Sequence, residues 1–257
     1  MRAVAVSTDA LVVTSGFWQT NALALRAGGE ALLIDSPYLP DEIDALPSLL
    51  AGAGFEPDGL LATHADFDHL LGRLAFPGMT LGLCESSVER LHREPGGAQR
   101  ALRHYDAEFY VTRPAPLALG QVQGLPVPGS VEIGDRELEL HPAEGHTPDG
   151  MAVFDRGLGV LAVGDYVSDV EIPWIHEGGS LTDYRATLTR LAPLVEHAAT
   201  IVPGHGAPHD RERALRLLDE DVAYLDALER GEEGWPLPAG RDSKAQRSIH
   251  KENLTRV

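Results

Sequence analysis

The chain has one cysteine, Cys84, and only two lysines, Lys244 and Lys251, in 257 residues. A lone cysteine cannot close an intrachain disulfide, and no CxxC pattern surrounds it to make a thiolate metal site. With Leu81 and Leu83 as neighbours it reads as a small buried apolar residue. Cations are scarce as a class: 21 Lys and Arg stand against 39 Asp and Glu, a formal net charge of −18. That balance excludes binding nucleic acid through a general basic surface, because neutralising phosphates needs Lys and Arg. It equally excludes docking on an anionic membrane. No apolar run approaches the roughly 20 residues of a helical membrane span. Residues 1–6 lack the apolar core and small-residue cleavage site of a secretory leader, so a cytoplasmic location is expected. What remains is a globular composition, 43 % hydrophobic and 23 % charged, carrying 11 histidines able to bind metal or move protons.

The element pattern is that of a mixed α and β chain. Residues 10–15, 21–27 and 30–35 are short β-type runs, with Gly28-Gly29 as a hairpin turn between the last two. Pro40-Asp41-Glu42 opens a helix through about residue 53, and 58–63 is a short buried strand ending directly before His64. A short helix over 70–75, a strand over 80–83 and helices over 85–93 and 98–110 follow. The Pro- and Gly-rich stretch 114–128 reads as a crossing loop. Strands are expected over 130–133, 137–141, 151–155, 158–163 and 200–202. Helices are expected over 182–197, 210–230 and 243–254. The order strands, helix, apolar strand, His-rich turn occurs twice. Two sheets packed face to face with helices outside would satisfy it.

The densest chemistry lies in Thr63-His64-Ala65-Asp66-Phe67-Asp68-His69. In an extended turn His64, Asp66 and Asp68 point to a similar side and His69 elsewhere, which makes two neighbouring metal sites a natural outcome. Imidazole with carboxylate suits Zn²⁺ and similar borderline cations. The plain alternative is a polar surface turn. Against it stand three more metal-capable side chains in turns after strands: His146 in Gly145-His146-Thr147-Pro148, Asp165 in Val163-Gly164-Asp165, and His205 in Pro203-Gly204-His205-Gly206. Loops held at strand ends by a rigid scaffold are where active sites gather.

On these motifs the chain resembles the metallo-β-lactamase-fold superfamily of metallohydrolases, over about residues 10–209. Asp35 in Leu32-Leu33-Ile34-Asp35 matches that family's first motif, an acid supporting the metal loop. The 63–69 segment, His146, Asp165 and His205 match the other four in order. The resemblance implies an α+β fold, a four-layer αββα sandwich with C-terminal helices: a catalytic domain over 1–209 and a helical extension over 210–257 packed on it. It implies that His64, Asp66 and His146 hold one divalent metal, that Asp68, His69 and His205 hold a second, and that Asp165 bridges them. A hydroxide between the metals would be the nucleophile, with Asp68 as the catalytic residue that orients it and carries its proton. One position departs from the usual His-x-His-x-Asp-His motif: its middle histidine is Asp66 here, as in some branches of the superfamily. A harder, anionic ligand makes Mn or Fe more acceptable beside Zn, the first expectation.

The implied activity is hydrolysis of a small ester, thioester or lactone, in a glyoxalase-II-like or lactonase-like layout. The alternatives are hydrolysis of a small phosphodiester such as phosphorylcholine, and an iron-dependent oxidoreductase such as a persulfide dioxygenase. The expected partner is a small-molecule substrate, with no nucleic acid and no membrane, and a homodimer as the oligomer allowed for. Tyr166, Trp174, His176 and His250 are the candidate substrate contacts. The helix aromatics Tyr105, Phe109 and Tyr110 read as core, and His92 and His104 as solvated.

Overall fold

The computed structural model describes residues 1–257. Its first sheet comprises β1 (Arg2–Ser7), β2 (Ala10–Thr14), β3 (Asn21–Ala27), β4 (Glu30–Asp35), β5 (Gly59–Leu61), β6 (Leu81–Cys84) and β7 (Val122–Leu125), in that spatial order. The second comprises β8 (Gly129–Ile133), β9 (Arg136–Pro142), β10 (Met151–Asp155), β11 (Val160–Gly164), β12 (Thr200–Pro203) and β13 (His209–Asp210), again in order from one edge to the other. Helices α1 (Pro40–Gly52), α2 (Gly72–Ala75), α3 (Glu85–Arg93) and α4 (Gly97–Glu108) belong with the first sheet. Helices α5 (Leu181–His197), α6 (Arg211–Glu229) and α7 (Lys244–Asn253) belong with the second.

Side-chain alternation along the strands creates the layers. On β2 and β3, Val12, Leu23 and Leu25 enter an apolar core shared by both sheets, where they meet Leu138, Leu140, Val153 and Ala162. The intervening Leu11, Val13, Ala22 and Ala24 face the other way, onto Ile43, Leu46 and Leu50 of α1. On the far side Phe154, Leu161 and Ile201 meet Leu188, Leu191 and Val195 of α5 and Leu217 and Leu225 of α6. Three cores therefore separate four layers, the expected αββα sandwich. Buried Cys84 lies in the central core. No helix is long and apolar enough to cross a membrane.

Two local devices are legible in the sequence. The β3–β4 hairpin closes on Gly28 and Gly29, with φ of 57° and 92° and Ala27 paired to Glu30. Positive φ at both turn residues matches the twist of the strands and requires glycine. Ser180, Asp210 and Ser243 cap α5, α6 and α7, each accepting a bond from the backbone N–H three residues on.

The twofold echo has a structural basis. In the first half β4 runs through α1 to β5, parallel to it; in the second, β11 runs through α5 to β12, also parallel. Parallel neighbours end at the same edge. Asp35 and the 63–69 turn therefore emerge together from one sheet, and Asp165 and His205 together from the other. An isolated bridge between Thr20 and His205 joins the two edges.

Three strands lie outside the sequence expectation. β1 is an exposed edge strand whose alternation carries no buried face. β7 lies within the stretch read as a crossing loop and pairs parallel with β6. β13 is two residues long. Each is defined by its pairing partner and not by a pattern of its own.

Candidate metal centre

Four histidines converge at the paired strand ends, each pinned through Nδ1. His64 Nδ1 lies 3.2 Å from Thr63 Oγ1, and His69 Nδ1 lies 3.0 Å from Asp35 Oδ2. His146 Nδ1 meets the Trp174 carbonyl at 2.8 Å, and His205 Nδ1 meets the Trp18 carbonyl at 3.1 Å. A histidine that donates through Nδ1 presents an Nε2 lone pair inward. Asp35 organises this support. It accepts from Thr63 N at 2.8 Å and from Thr63 Oγ1 at 2.9 Å, and it holds φ of 59° at the end of β4.

Asp165 stands at the centre. Its Oδ2 lies 3.7 Å from His64 Nε2 and 3.2 Å from His146 Nε2. Its Oδ1 lies 3.1 Å from His69 Nε2 and 3.6 Å from His205 Nε2. One carboxylate thus divides its two oxygens between two pairs of imidazoles. Asp66 Oδ2 completes the first group, 3.7 Å from His64 Nε2 and 3.6 Å from His146 Nε2. Asp68 Oδ2 completes the second, 3.8 Å from His69 Nε2 and 3.2 Å from His205 Nε2. All seven sequence-predicted residues lie together: His64, Asp66 and His146 form one group and Asp68, His69 and His205 another, overlapped by His64–His69–Asp165 and by Asp165–Glu171–His205.

Gly204 permits this density. A Cβ there would stand 2.2 Å from Asp165 Oδ1 and 2.7 Å from the His69 ring. Asn21 fixes the same turn. Its backbone N–H donates to the Gly204 carbonyl, and its side-chain amide donates to the carbonyls of Pro203 and Gly206 at 2.8 and 2.9 Å.

The cluster fits bound divalent metal. Nε2 of His64, His69 and His146 and Oδ1 of Asp165 are buried without a hydrogen-bond partner. A buried polar atom left unpaired costs about 1–3 kcal/mol, and a bound cation would satisfy those it touches. Ligand atoms about 2.1 Å from a tetrahedral ion stand roughly 3.4 Å apart, close to the spacings above.

The electrostatics agree. Burial works against charging His146 and His205, yet the facing carboxylates outweigh it and push both up to about 10. Burial likewise opposes ionising Asp66, but His146, His64 and Arg90 hold its carboxyl well below the usual carboxylate range. A site this anionic binds protons when no metal competes.

Of the four expected substrate contacts, two lie beside the cluster. Trp174 and His176 sit beside His146, ring centroids 5.8 and 6.0 Å away, with Trp174 Nε1 and His176 Nδ1 unpartnered. The other two are corrected. The Tyr166 hydroxyl accepts from His146 N at 3.0 Å and donates to the Ala143 carbonyl at 3.2 Å, so it is consumed in holding the His146 turn. His250 has both ring nitrogens engaged, with Tyr224 at 3.0 Å and with the Glu233 carbonyl at 3.2 Å. It fastens α7, and α7 in turn clamps the pocket loop: Gln246 accepts from Ile172 N, and Asn253 accepts from Ile175 N and donates to the Pro173 carbonyl.

Several residues at the site were not anticipated. Arg90 on α3 reaches Asp66 Oδ1 at 2.7 Å and Asp149 Oδ1 at 2.8 Å. Glu171 lies 3.9 Å from His205. Phe17, Trp18 and Phe67 gather with Tyr105 and Phe109 into an aromatic wall: Phe67 stacks on Tyr105 at 5.1 Å, and Trp18 meets Tyr105 edge-on at 5.3 Å. Only Asp149 had a sequence signal, an acid three residues after His146. Phe109 and Tyr110, expected in the core, are 40 % and 93 % exposed, while His92 and His104 are exposed as expected.

The Metallo-beta-lactamase superfamily profile matches residues 15–205. The chain belongs to that superfamily. Among curated relatives it is similar to the acyl-coenzyme A thioesterase MBLAC2 of Gallus gallus, 28 % identical over 230 residues covering 80 % of this chain and 79 % of that one. Among solved structures it is similar to a metallo-beta-lactamase family protein, TTHA1429, from Thermus thermophilus. The TM-score is 0.69 at 22 % identity, over 98 % of this chain and 93 % of that one. It is similar also to TTHA1623 in a di-iron-bound form, with TM-score 0.62 at 25 % identity, over 80 % of this chain and 97 % of that one.

Proposed function

We propose that the protein is a dinuclear metal-dependent hydrolase of a small thioester, ester or lactone. The observation that carries this reading is the division of Asp165's oxygens between His64 and His146 on one side and His69 and His205 on the other. His64, Asp66 and His146 would hold one ion, Asp68, His69 and His205 the other, and Asp165 both, with zinc first and iron or manganese as alternatives. Bound ions supply Lewis acidity and bring the pKa of water from 15.7 towards about 7.

The chain's own residues do the rest. Asp68 Oδ2, 3.2 Å from His205 Nε2 and 3.8 Å from His69 Nε2, is placed to orient a water in the centre, take up its proton and pass that proton to the leaving group. Trp174 Nε1 and His176 Nδ1 are buried without a partner beside His146, so a polar substrate atom could pair with them only if the loop opens. The aromatic wall offers an apolar acyl group a dry surface beside Asp66 and Asp68. Similarity to the avian acyl-coenzyme A thioesterase supports placing thioesters first.

The test is metal analysis of purified protein beside turnover of a short acyl-CoA, a lactone, a phosphodiester and a persulfide, with Asp68→Ala as the blank. Two equivalents of metal with thioester, ester or lactone cleavage support the reading. Phosphodiester cleavage, or oxygen uptake with iron, overturns it in favour of the corresponding alternative.

A further inference from the structure

Asp66 is the one carboxylate of the cluster that also touches a guanidinium. Its two oxygens have separate duties. Oδ2 faces the Nε2 atoms of His64 and His146, while Oδ1 is bound by Arg90 Nη2 at 2.7 Å. Arg90 is itself immobilised. Its Nη1 bonds Asp149 Oδ1 at 2.8 Å, and Asp149 Oδ2 accepts from Ala65 N at 2.9 Å and from Ser87 Oγ at 2.5 Å. Asp149 is 1 % exposed. The guanidinium is therefore held between two acids, one of which is anchored to the backbone of the metal loop.

We propose that Arg90 and Asp66 work as one unit, a ligand whose charge the guanidinium partly offsets and which offers the first metal site a single oxygen. Arg90 is the positioning residue. Its planar fork occupies Oδ1, so that Asp66 cannot turn to engage with both oxygens, and its charge offsets that of Asp66 at the site. The second half of the cluster has the opposite support: His69 is backed by the anion Asp35, and no cation touches Asp68. Without Arg90 the whole centre would carry three ligand carboxylates uncompensated. That excess of negative charge lowers the Lewis acidity on which water activation depends.

The inference rests on the metal reading above. The experiment separates the two by measuring metal itself. Metal stoichiometry and affinity are determined by chelator competition for the natural protein, Arg90→Met, Arg90→Lys, Asp66→His and the double variant Asp66→His with Arg90→Met. The pH dependence of kcat/KM is followed in parallel. If the natural protein binds no metal, the functional reading and this proposal fall together; every other adverse outcome is read with metal bound and overturns this proposal alone.

If it binds two equivalents, Arg90→Met should weaken one of them by about 10- to 100-fold, the range seen when residues behind a ligand are removed. The acid limb of the pH profile should move up by about one unit. Asp66→His should be worse than the natural protein while Arg90 is present, because a guanidinium then faces a neutral ring. With Arg90→Met it should restore binding, because an imidazole needs no compensating cation. That reversal of preference is the signature of a coupled pair. Arg90→Lys keeps the charge and loses the fork; it should retain the acid limb while losing affinity, and it remains informative if Arg90→Met does not fold. Unchanged metal affinity and pH profile in Arg90→Met, with only a lower Tm, would reduce Arg90 to a structural tie between α3 and Asp149. An acid limb displaced as far in Arg90→Lys as in Arg90→Met, or no rescue in the double variant, would also overturn the proposal.

Discussion

The two halves of the metal centre use the same ligand types and different support. His64, Asp66 and His146 are backed by a hydroxyl, a guanidinium and a backbone carbonyl; Asp68, His69 and His205 are backed by a carboxylate and a carbonyl. The first half leans on α3, which is distant in sequence. The second leans on Asp35 and on the Gly204 turn, packed so closely that no Cβ fits. The difference teaches that identical ligand chemistry can be held by charge compensation on one side and by backbone proximity on the other. The two halves should therefore fail in different ways.

The largest effect should come from removing what they share. Asp165→Ala takes away the oxygens facing all four imidazoles, and both metal equivalents should be lost with at least a thousandfold fall in kcat/KM, read by metal analysis and initial rates. Retention of one tight equivalent would show that the halves are independent. Gly204→Ala should act mainly on the second half, because Oδ1, the Asp165 oxygen it meets, faces His69 and His205. Its methyl collides with Asp165 and the His69 ring, so one equivalent should go, with turnover falling about a hundredfold. Asp35→Asn should be milder, about a 10- to 100-fold loss of metal affinity in that half, because the amide no longer offers His69 a charged acceptor, with a smaller loss in the first half, which Asp35 supports through Thr63 and His64. Greater weakening of the first site would contradict that assignment.

A pH titration compares the halves directly. In the metal-free protein His146 and His205, one from each half, are pushed up to about 10 from 6.5. A raised histidine contributes stability that is complete below about pH 6.5 and is lost as pH rises through about 10. The Tm of chelated protein should therefore fall between pH 7 and 10, while the metal-loaded form, whose imidazoles cannot take protons, should change less. A rise in the chelated Tm over that window would reverse the sign assigned to the cluster. The smallest effect on catalysis should follow His250→Ala. Loss of its bonds to Tyr224 and Glu233 should cost about 1–3 kcal/mol of stability and leave turnover within about twofold. A tenfold loss of kcat would return His250 to the pocket.

Much of this was legible from single stretches of chain. The 63–69 segment, His146, Asp165 and His205 announced themselves because each follows a strand-like run, and strand ends are local features. The repeated order of strands, helix, apolar strand and His-rich turn pointed to two face-to-face sheets, and the αββα layering came with the family resemblance. Tyr166 and His250 were misread because residue type says nothing about whether a hydroxyl or ring nitrogen already has a partner. Tyr110 was misread because an aromatic at a helix end can point either way.

The sequence alone carried which side chains could bind metal and in what order they leave the sheets, because strand ends and turns are set by chain geometry over a few residues. The αββα sandwich came from the resemblance to the superfamily. Only the tertiary structure decided what stands behind each ligand. Arg90 reaches Asp66 from a separate helix, the Asn21 amide meets the Pro203 carbonyl 182 residues away, and the Trp18 carbonyl meets His205 across 187. Contacts over such separations depend on how the two sheets pack, and no local spacing encodes that.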